Sequence, residues 1–215
     1  MIHKSINNLV SIEKEIQLKK NNIRIIAVSK TFPLDHVYPL INYGHKDYGE
    51  NKVQEAVEKW TDIKNDFKHI QLHLIGKLQT NKVKYALPLF DYIHSLDNTK
   101  LAEKIAAEQI KKKFKPKIFV QVNIGNEEQK SGIDPKDLNK FVNNCIENLD
   151  LNIVGLMCIP PVNENSKIFF EKMSRLNKEM NLKSLSMGMS NDYMDAIDFD
   201  ANFVRIGSKI FGERS

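Results

Sequence analysis

Short apolar runs alternate with longer amphipathic stretches along most of this chain. Most of the runs are rich in Val, Ile and Phe, and a compact run of this kind is typical of a buried β-strand. The segment beginning at Lys46 is weaker because it is short and polar. Eight segments are predicted to be strands: Ile23–Ser29, Lys46–Gly49, His69–Ile75, Tyr92–Leu96, Lys117–Ile124, Ile153–Met157, Ser184–Met187 and Phe203–Ile206.

Between these strands, apolar residues recur every three or four positions, which predicts helices. Asp97 or Asn98 is the candidate N-cap of the helix before the fifth strand, and Ser166 is the candidate for the helix before the seventh. A further helix, from about His3 to Lys20, precedes the first strand. Pro39 lies inside the helix predicted after the first strand, so that helix should be kinked or start late. The clearest helical stripes lie at 53–63, 101–110, 138–146 and 169–180.

The strict order of strand and then helix predicts a parallel sheet. Eight such units predict one closed (β/α)8 barrel of the TIM type, here a single domain over residues 1–215 with an extra N-terminal helix. An open doubly wound sheet is the alternative, and it usually carries a glycine-rich turn after its first strand. The residues at that point, Ser29-Lys30-Thr31-Phe32-Pro33, include no glycine.

The composition is that of an ordinary globular protein, with 41% hydrophobic and 27% charged residues. No apolar run approaches the roughly 20 residues needed to cross a bilayer. The stretch from Met1 to Lys20 lacks the apolar core of a signal peptide, so we expect a cytoplasmic protein. Cys145 and Cys158 stand among apolar neighbours without metal-ligand spacing, which predicts reduced, buried thiols and no metal site.

The net charge of +5 would permit nucleic-acid binding, but that hypothesis rests on the charge alone. The tight basic run, Lys111–Lys113, closes a helical stripe, where cations complement the helix dipole. No aromatic residues interleave with this run. We therefore expect no nucleic-acid partner.

Lys30 is the first candidate for chemistry, because it ends an apolar strand and the active site of a β/α barrel lies at the carboxyl ends of its strands. In a dry site, desolvation lowers the pKa of a lysine, and the neutral amine can form a Schiff base with a carbonyl group. On spacing alone, a lysine with its ammonium group in water at the rim is the simpler interpretation.

Two loops after the seventh and eighth strands favour the chemical interpretation. Barrels often hold phosphate between these loops. Met187–Ser190 contains a glycine and a serine that could bind a phosphate or cap the next helix, and Gly207-Ser208 precedes a second short segment. Each loop is weak evidence by itself. Together with Lys30 they suggest an aldehyde that carries a phosphate.

Several motifs, in this order, resemble the YggS/PROSC family of pyridoxal phosphate homeostasis proteins over nearly the whole chain. Each motif is short, but the set is specific. The matching segments are Ala27–Thr31, Gly49–Glu55, His73–Lys82, Lys130-Ser131-Gly132, Gly155–Pro160, Leu185–Ser190 and Val204–Gly212.

This resemblance implies a barrel like the N-terminal domain of bacterial alanine racemase, with pyridoxal 5'-phosphate (PLP) as cofactor. It implies that Lys30 forms the internal aldimine and that Ser190, Gly207 and Ser208 hold the phosphate. Asn51 would lie near the reactive side of the cofactor.

The resemblance also implies that Arg205 faces the pyridine nitrogen, although an arginine at a strand end could instead pair with a carboxylate. His73 and Met157 are candidates for the pocket wall without direct contacts. Leu72 and Lys77 depart from the common pattern, which has Trp and Pro there. These departures concern fine pocket or surface detail.

The leading functional hypothesis is a carrier or buffer in vitamin B6 homeostasis, without strong catalysis. It would bind PLP reversibly as a Schiff base and release it to PLP-dependent apoenzymes, and we expect a monomer without a membrane partner. The alternative is a small PLP-dependent amino-acid racemase. Racemisation needs acid/base groups on both faces of the cofactor, and alanine racemases supply the second from an additional domain, whereas this sequence ends at Ser215.

Overall fold

The eight strands close into a parallel barrel in sequence order, which confirms the predicted fold. The computed structural model describes residues 3–127 and 129–213, so Ser215, the predicted end of the domain, lies outside the described residues. The strands are β1 Arg24–Val28, β2 Asp47–Glu50, β3 Gln71–Leu74, β4 Tyr92–Leu96, β5 Lys117–Gln121, β6 Ile153–Met157, β7 Ser184–Met189 and β8 Phe203–Ile206.

Helices alternate with these strands, and the predicted N-terminal helix is present. This helix buries Leu9, Ile12 and Ile16, and Asn8 Nδ2 on it donates to the Ile210 carbonyl over 3.0 Å. The helices are α1 Lys4–Gln17, α2 Leu34–Tyr43, α3 Val53–Asp66, α4 Val83–Ala86, α5 Thr99–Lys112, α6 Leu138–Asn143, α7 Ser166–Glu179, α8 Tyr193–Asp198 and α9 Ser208–Phe211. A 3-10 turn, Thr80–Lys82, precedes α4, and a π-helical turn, Asn144–Asn148, follows α6.

The helix starts refine the sequence predictions. Asn98 caps α5, with its Oδ1 accepting from the Leu101 amide over 2.9 Å. The prediction for α7 was wrong by one residue, because Asn165 supplies the capping oxygen and Ser166 is the first helical residue. Helix α2 begins directly after Pro33 and continues through Pro39. Pro39 lacks an amide hydrogen, so the helix loses one hydrogen bond there but does not start late.

Strand β7 is two residues longer than the predicted Ser184–Met187, since Gly188 and Met189 belong to the strand and not to a loop. Ser186 pairs with Phe203, whereas Met189 pairs with Arg205, so β7 has one residue more than β8 between these two pairs. An extra residue of this kind is a β-bulge, which bends the strand and redirects its side chains.

The hydrophobic core has two parts. The larger part lies between the barrel and the surrounding helices, and both cysteines, buried and unpaired, belong to it. The smaller part consists of residues from five strands that meet inside the barrel: Ile26, Tyr92, Phe119, Met157 and Phe203. Burial raises the pKa of each cysteine thiol to about 12, so both thiols stay protonated at neutral pH.

Among the described helices, none is both long and apolar enough to span a membrane. Within residues 3–127 and 129–213, no group of His, Cys, Asp and Glu side chains is arranged to hold a metal ion.

Candidate functional site

A cavity of about 730 Å³ opens at the carboxyl ends of the strands. Residues at the ends of β1, β2, β3, β6, β7 and β8 line it, and its size is within the usual range for small-molecule sites. The structure brings all six predicted site residues to its wall: Lys30, Asn51, Ser190, Arg205, Gly207 and Ser208.

Lys30 lies in a tight turn between β1 and α2. The Phe32 amide donates to the Ser29 carbonyl over 3.1 Å and closes this turn. Thr31 has a φ of +67°, a left-handed conformation that is strained for a β-branched residue. Lys30 is half-buried, and Val28, Phe32 and Ile75 give the cavity an apolar wall beside it. The turn therefore places an amine at the edge of an apolar wall.

Four side chains beneath this turn form a group that we call the turn clamp: Ser29, Glu50, Lys59 and Trp60. Glu50 is only 1% exposed, and its Oε1 accepts from Ser29 Oγ at 2.7 Å, Lys59 Nζ at 2.9 Å and Trp60 Nε1 at 3.0 Å. Lys59 Nζ also donates to the Ser29 and Phe32 carbonyls, each over 2.8 Å. The clamp thus holds both ends of the turn that carries Lys30.

Asn51 follows β2 and is fixed by a close backbone neighbour. A Cβ atom on Gly76, which follows β3, would lie 2.3 Å from the Asn51 carbonyl oxygen. Only glycine allows this approach of the two chains, so Gly76 sets the position of Asn51 at the cavity wall.

Ser190 follows β7 and is half-buried in the wall. It does not cap the next helix, because the residue before α8 is Asp192. Asp192 Oδ1 accepts from the Met189 amide over 2.6 Å and holds the turn between β7 and α8. Ser190 is therefore a residue of the cavity wall and not the cap of α8.

Gly207 and Ser208 form the start of α9. The amides of Ile210 and Phe211 donate to the Gly207 carbonyl, each over 2.9 Å, while the first amides of a helix have no partner within it. A Cβ atom on Gly207 would meet only ordinary contacts, with Val28 Cβ and O at 3.5 Å. The fold itself therefore leaves room for a side chain at this position.

Arg205 lies in the cavity wall but is only 5% exposed. Its Nη1 donates to the Ser186 carbonyl at 2.8 Å and to Ser186 Oγ at 2.7 Å, and its Nη2 donates to the Cys158 carbonyl at 2.9 Å. In the part of the chain that the structure describes, Arg205 forms no ion pair and no hydrogen bond from Nε. The alternative of a carboxylate partner is thus not observed there, and Nε–H is left for another acceptor.

A chain of buried polar residues leads from Arg205 through the barrel interior, and we call it the barrel relay: Asp47, His73, His94 and Ser186. Asp47 Oδ1 lies 2.9 Å from His73 Nε2, His73 Nδ1 lies 3.0 Å from His94 Nε2, and His94 Nδ1 lies 2.9 Å from Ser186 Oγ. The rings are held by stacking, His73 on Tyr92 and His94 on Phe119, each with 4.4 Å between centroids.

The charges of the barrel relay follow from its burial. Burial lowers the pKa of His73 and, more strongly, that of His94, so both imidazoles are neutral near pH 7. Burial opposes ionisation of Asp47, but hydrogen bonds and charge interactions with His73 and Arg24 outweigh it and hold the Asp47 pKa below its usual range. Burial also lowers the pKa of Arg205, although a guanidinium group keeps its proton in proteins.

His73 and Met157, the two weaker candidates for the pocket wall, lie inside the barrel and not at the cavity. Sequence reasoning included Glu50 in a family motif but missed the turn clamp as a group, and it did not single out His94 or Asp47. A polar residue inside an otherwise apolar strand, such as His94 in β4, is the signal that could have indicated an interior network.

The chain matches the family model for the alanine racemase N-terminal domain over residues 6–215. It is 38% identical over 204 residues to the pyridoxal phosphate homeostasis protein of Aquifex aeolicus, covering 91% of this chain and 89% of that protein. It is 34% identical over 213 residues to the protein of the same description from Haemophilus influenzae, with coverage of 94% and 90%.

Two solved structures are also similar to this chain. PipY of Synechococcus elongatus, solved with PLP bound, is similar with a TM-score of 0.88 and 31% identity, covering 97% of this chain and 100% of PipY. Alanine racemase of Clostridium difficile is similar with a TM-score of 0.76 and 16% identity, covering 98% of this chain and 57% of the racemase. The second likeness concerns the fold alone.

Proposed function

Because the chain belongs to the pyridoxal phosphate homeostasis protein family, we propose that it binds PLP in the cavity at the carboxyl ends of the strands, with Lys30 as the covalent attachment point. One observation carries this proposal: the six residues expected from the sequence, which come from distant parts of the chain, line a single cavity. The cavity wall offers hydroxyl groups for a phosphate, a guanidinium group for an aromatic ring nitrogen and an amine for an aldehyde.

The phosphate end of the ligand fits the wall between β7 and β8. Ser190 and Ser208 offer hydroxyl groups, and the first amides of α9 offer backbone donors beside them. Phosphate oxygens are strong acceptors and suit such a set. The lack of a side chain on Gly207 lets the phosphate approach the backbone closely.

The ring nitrogen of the ligand fits Arg205. The guanidinium group can only donate, so the nitrogen that accepts from it has to be unprotonated. An unprotonated ring is a poorer electron sink than a pyridinium ring held by a carboxylate. Arg205 therefore favours retention of the cofactor over carbanion chemistry.

Lys30 supplies the covalent attachment. Its neutral amine adds to the ligand's aldehyde carbon, and loss of one water molecule leaves a C=N bond. Val28, Phe32 and Ile75 form an apolar wall beside this position, and an apolar environment favours the neutral form of an amine. Hydrolysis reverses the reaction and releases the aldehyde, as a carrier requires.

The proposed role is that of a cytoplasmic carrier or buffer that covers the reactive aldehyde and releases PLP to apoenzymes. The relatives described as homeostasis proteins support this role. The described residues that line the cavity include no Tyr or His, and the acid/base groups there besides Lys30 are the carboxylates of Glu164, Asp192 and Glu213.

The experiment that tests this proposal is an absorption spectrum of the protein reconstituted with PLP, before and after borohydride reduction. We expect a yellow protein whose colour is fixed by borohydride on the Lys30 peptide and is absent from Lys30→Ala. Lys77→Ala is the control, because this exposed lysine follows β3 at the same end of the barrel. A wild-type protein that stays uncoloured with excess PLP would contradict the proposal.

The phosphate position has its own test in Gly207→Ala. The added methyl group meets only ordinary contacts in the protein, so the melting temperature should change little. The affinity for PLP should fall about tenfold, which corresponds to about 1.4 kcal/mol. The affinity for pyridoxal, which lacks the phosphate, should be unchanged. Equal weakening of both ligands would contradict the assignment.

Deuterium exchange at the Cα atom of added amino acids distinguishes a carrier from an enzyme. A panel of amino acids is incubated in D₂O with the PLP-bound protein or with free PLP. Exchange no faster than with free PLP is expected for a carrier, and exchange well above it would favour an enzyme.

A further inference from the structure

The barrel relay has one consistent set of proton positions. Asp47 is ionised and can only accept, so His73 Nε2 carries a proton. With a neutral ring, His73 Nδ1 then accepts, and His94 Nε2 donates to it. His94 Nδ1 accepts in turn from the Ser186 hydroxyl, whose oxygen accepts from Arg205 Nη1.

In this arrangement every hydrogen bond points the same way, from Arg205 towards Asp47. The opposite direction between the two rings would need a protonated His73. It would also leave the Ser186 hydroxyl hydrogen without an acceptor, since Ser186 Oγ would accept from both His94 and Arg205. Hydrogen bonds aligned head to tail polarise and strengthen one another.

The two ends of the barrel relay carry opposite charges. Arg205 is a buried cation whose hydrogen bonds, within the described part of the chain, go only to neutral oxygens, and Asp192 acts on its charge without a hydrogen bond. Asp47 is a buried carboxylate at the amino end of β2, where it also pairs with Arg24. A buried charge is costly unless it is compensated. The aligned relay connects Arg205 to the carboxylate across the barrel interior.

We infer that Asp47, His73 and His94 are positioning residues that act through Ser186 on Arg205 and so set the proton affinity of the ring nitrogen of bound PLP. This inference rests on the proposed function. It assigns a ligand-tuning role to residues that do not line the cavity. Asp47 ends the relay and sets the direction of its hydrogen bonds, and the neutral imidazoles fix the orientation of Arg205 Nη1. The carboxylate whose charge acts directly on Arg205 is Asp192, and all the variants below leave it unchanged.

The test uses variants that separate charge, hydrogen bonding and packing. Asp47→Asn keeps an acceptor for His73 but removes the charge. His94→Phe removes both hydrogen bonds but keeps a ring on Phe119, whereas His94→Gln can still donate to His73 and accept from Ser186. Arg24→Gln is the comparison of opposite sign for Asp47→Asn, because it removes the same ion pair by deleting the cation and keeps the Asp47 carboxylate.

Two spectroscopic quantities are measured on the PLP-bound proteins: the apparent pKa of the pH-dependent absorption change, and the ¹⁵N chemical shift of the labelled ring nitrogen. With less negative charge behind Arg205, the ring nitrogen should become less basic. We expect Asp47→Asn and His94→Phe to lower the apparent pKa by about half a unit and to move the ¹⁵N signal. His94→Gln should stay close to wild type, and Arg24→Gln should shift the apparent pKa upward, because it leaves more negative charge behind Arg205.

The inferred role of the relay would be contradicted if Asp47→Asn and His94→Phe lowered the melting temperature but kept the wild-type spectrum, apparent pKa and ¹⁵N shift. If His94→Phe does not fold, Ser186→Ala breaks the relay at its last link and carries the same expectation. A wild type that takes up no PLP would overturn the proposed function instead.

The protein without ligand provides an independent check. Histidine ¹⁵N spectra of wild type at pH 7 should show that His73 and His94 each carry a proton on Nε2 and none on Nδ1. A protonated Nδ1 on either ring would contradict the head-to-tail relay, whatever the protein binds.

Discussion

The turn clamp joins neighbouring elements, β1, β2 and α3, whereas the barrel relay crosses the barrel interior from β2 to β7. The clamp is centred on an ion pair, and its partners are close in sequence: Ser29 and Glu50 are 21 residues apart and Glu50 and Trp60 are 10 apart. The relay consists of neutral rings between charged ends, and His94 and Ser186 are 92 residues apart.

This difference indicates different tasks. The clamp bonds to backbone carbonyls and so fixes a segment of main chain, the turn that carries Lys30. The relay bonds to one guanidinium group and so fixes the orientation of the Arg205 side chain and the direction of its hydrogen bond to Ser186. Damage to the clamp should appear mainly as lost stability, and damage to the relay mainly as changed pH dependence.

Glu50→Gln should give the largest effect. It leaves the Lys59 ammonium, with a side chain only 13% exposed, without its carboxylate. Breaking a buried pair costs about 3 kcal/mol or more of unfolding free energy, which urea denaturation measures. Glu55→Gln is the control, since its pair with Lys52 is exposed and should be worth less than about 1 kcal/mol. Equal losses in the two variants would contradict a buried clamp.

The second-largest effect should be a loss of stability at acidic pH, which tests the two histidines of the relay. Unfolded histidines bind a proton below about pH 6.5, whereas burial keeps His73 and His94 neutral in the fold. Stability is therefore full above that pH and decreases below it, and His94, whose pKa lies well below its usual range, contributes about 1 kcal/mol of this decrease between pH 6.5 and 5.5. Denaturation at several pH values should show a smaller decrease in His94→Gln. The exposed His36→Gln is the control, and an unchanged pH dependence in His94→Gln would refute the expectation.

Ser29→Ala should have an intermediate effect on the clamp. Glu50 loses one of three donors but keeps Lys59 and Trp60. A hydrogen bond to a charged group contributes about 1.5 kcal/mol, and this is the expected loss in unfolding free energy. A loss as large as that of Glu50→Gln would mean that the Ser29 hydroxyl, and not the ion pair, holds the turn.

Thr31→Gly should have the smallest effect, and of opposite sign. Glycine relieves the left-handed strain at φ +67° but adds freedom to the unfolded chain, so we expect a stabilisation of about 0.5 kcal/mol. Asn22→Gly is the control at φ +66°, where asparagine already tolerates this conformation. Destabilisation of Thr31→Gly by thermal unfolding would show that contacts of the Thr31 side chain outweigh the strain.

Much of the fold could be predicted from the sequence because each unit carries its own local signal. The bounds of β4, β6 and β8 coincide with apolar runs, and the order of strand and helix gives the barrel. The length of β7 could not be predicted, because Gly188 resembles a loop residue and only pairing with β8 makes it part of a strand.

The cavity residues were predictable because barrel topology brings strand ends together, and the family motifs named six of them. The turn clamp and the barrel relay were not, since each of their hydrogen bonds depends on how the chain folds back on itself. Lys59 looks like any exposed helical lysine in the sequence, and only the approach of α3 to the turn after β1 buries it.

The bulge in β7 makes the cavity depend on the number of residues in the strand and not only on their identity. Removal of one residue between Ser186 and Met189 would remove the bulge, and each of these two residues could keep its partner on β8. The strand would lose its bend, so Ser190 would shift in the cavity wall while Ser186 kept its place beside Arg205. A one-residue deletion could thus weaken the proposed phosphate binding without touching the groups beside Arg205, which no substitution at Ser190 does through the backbone.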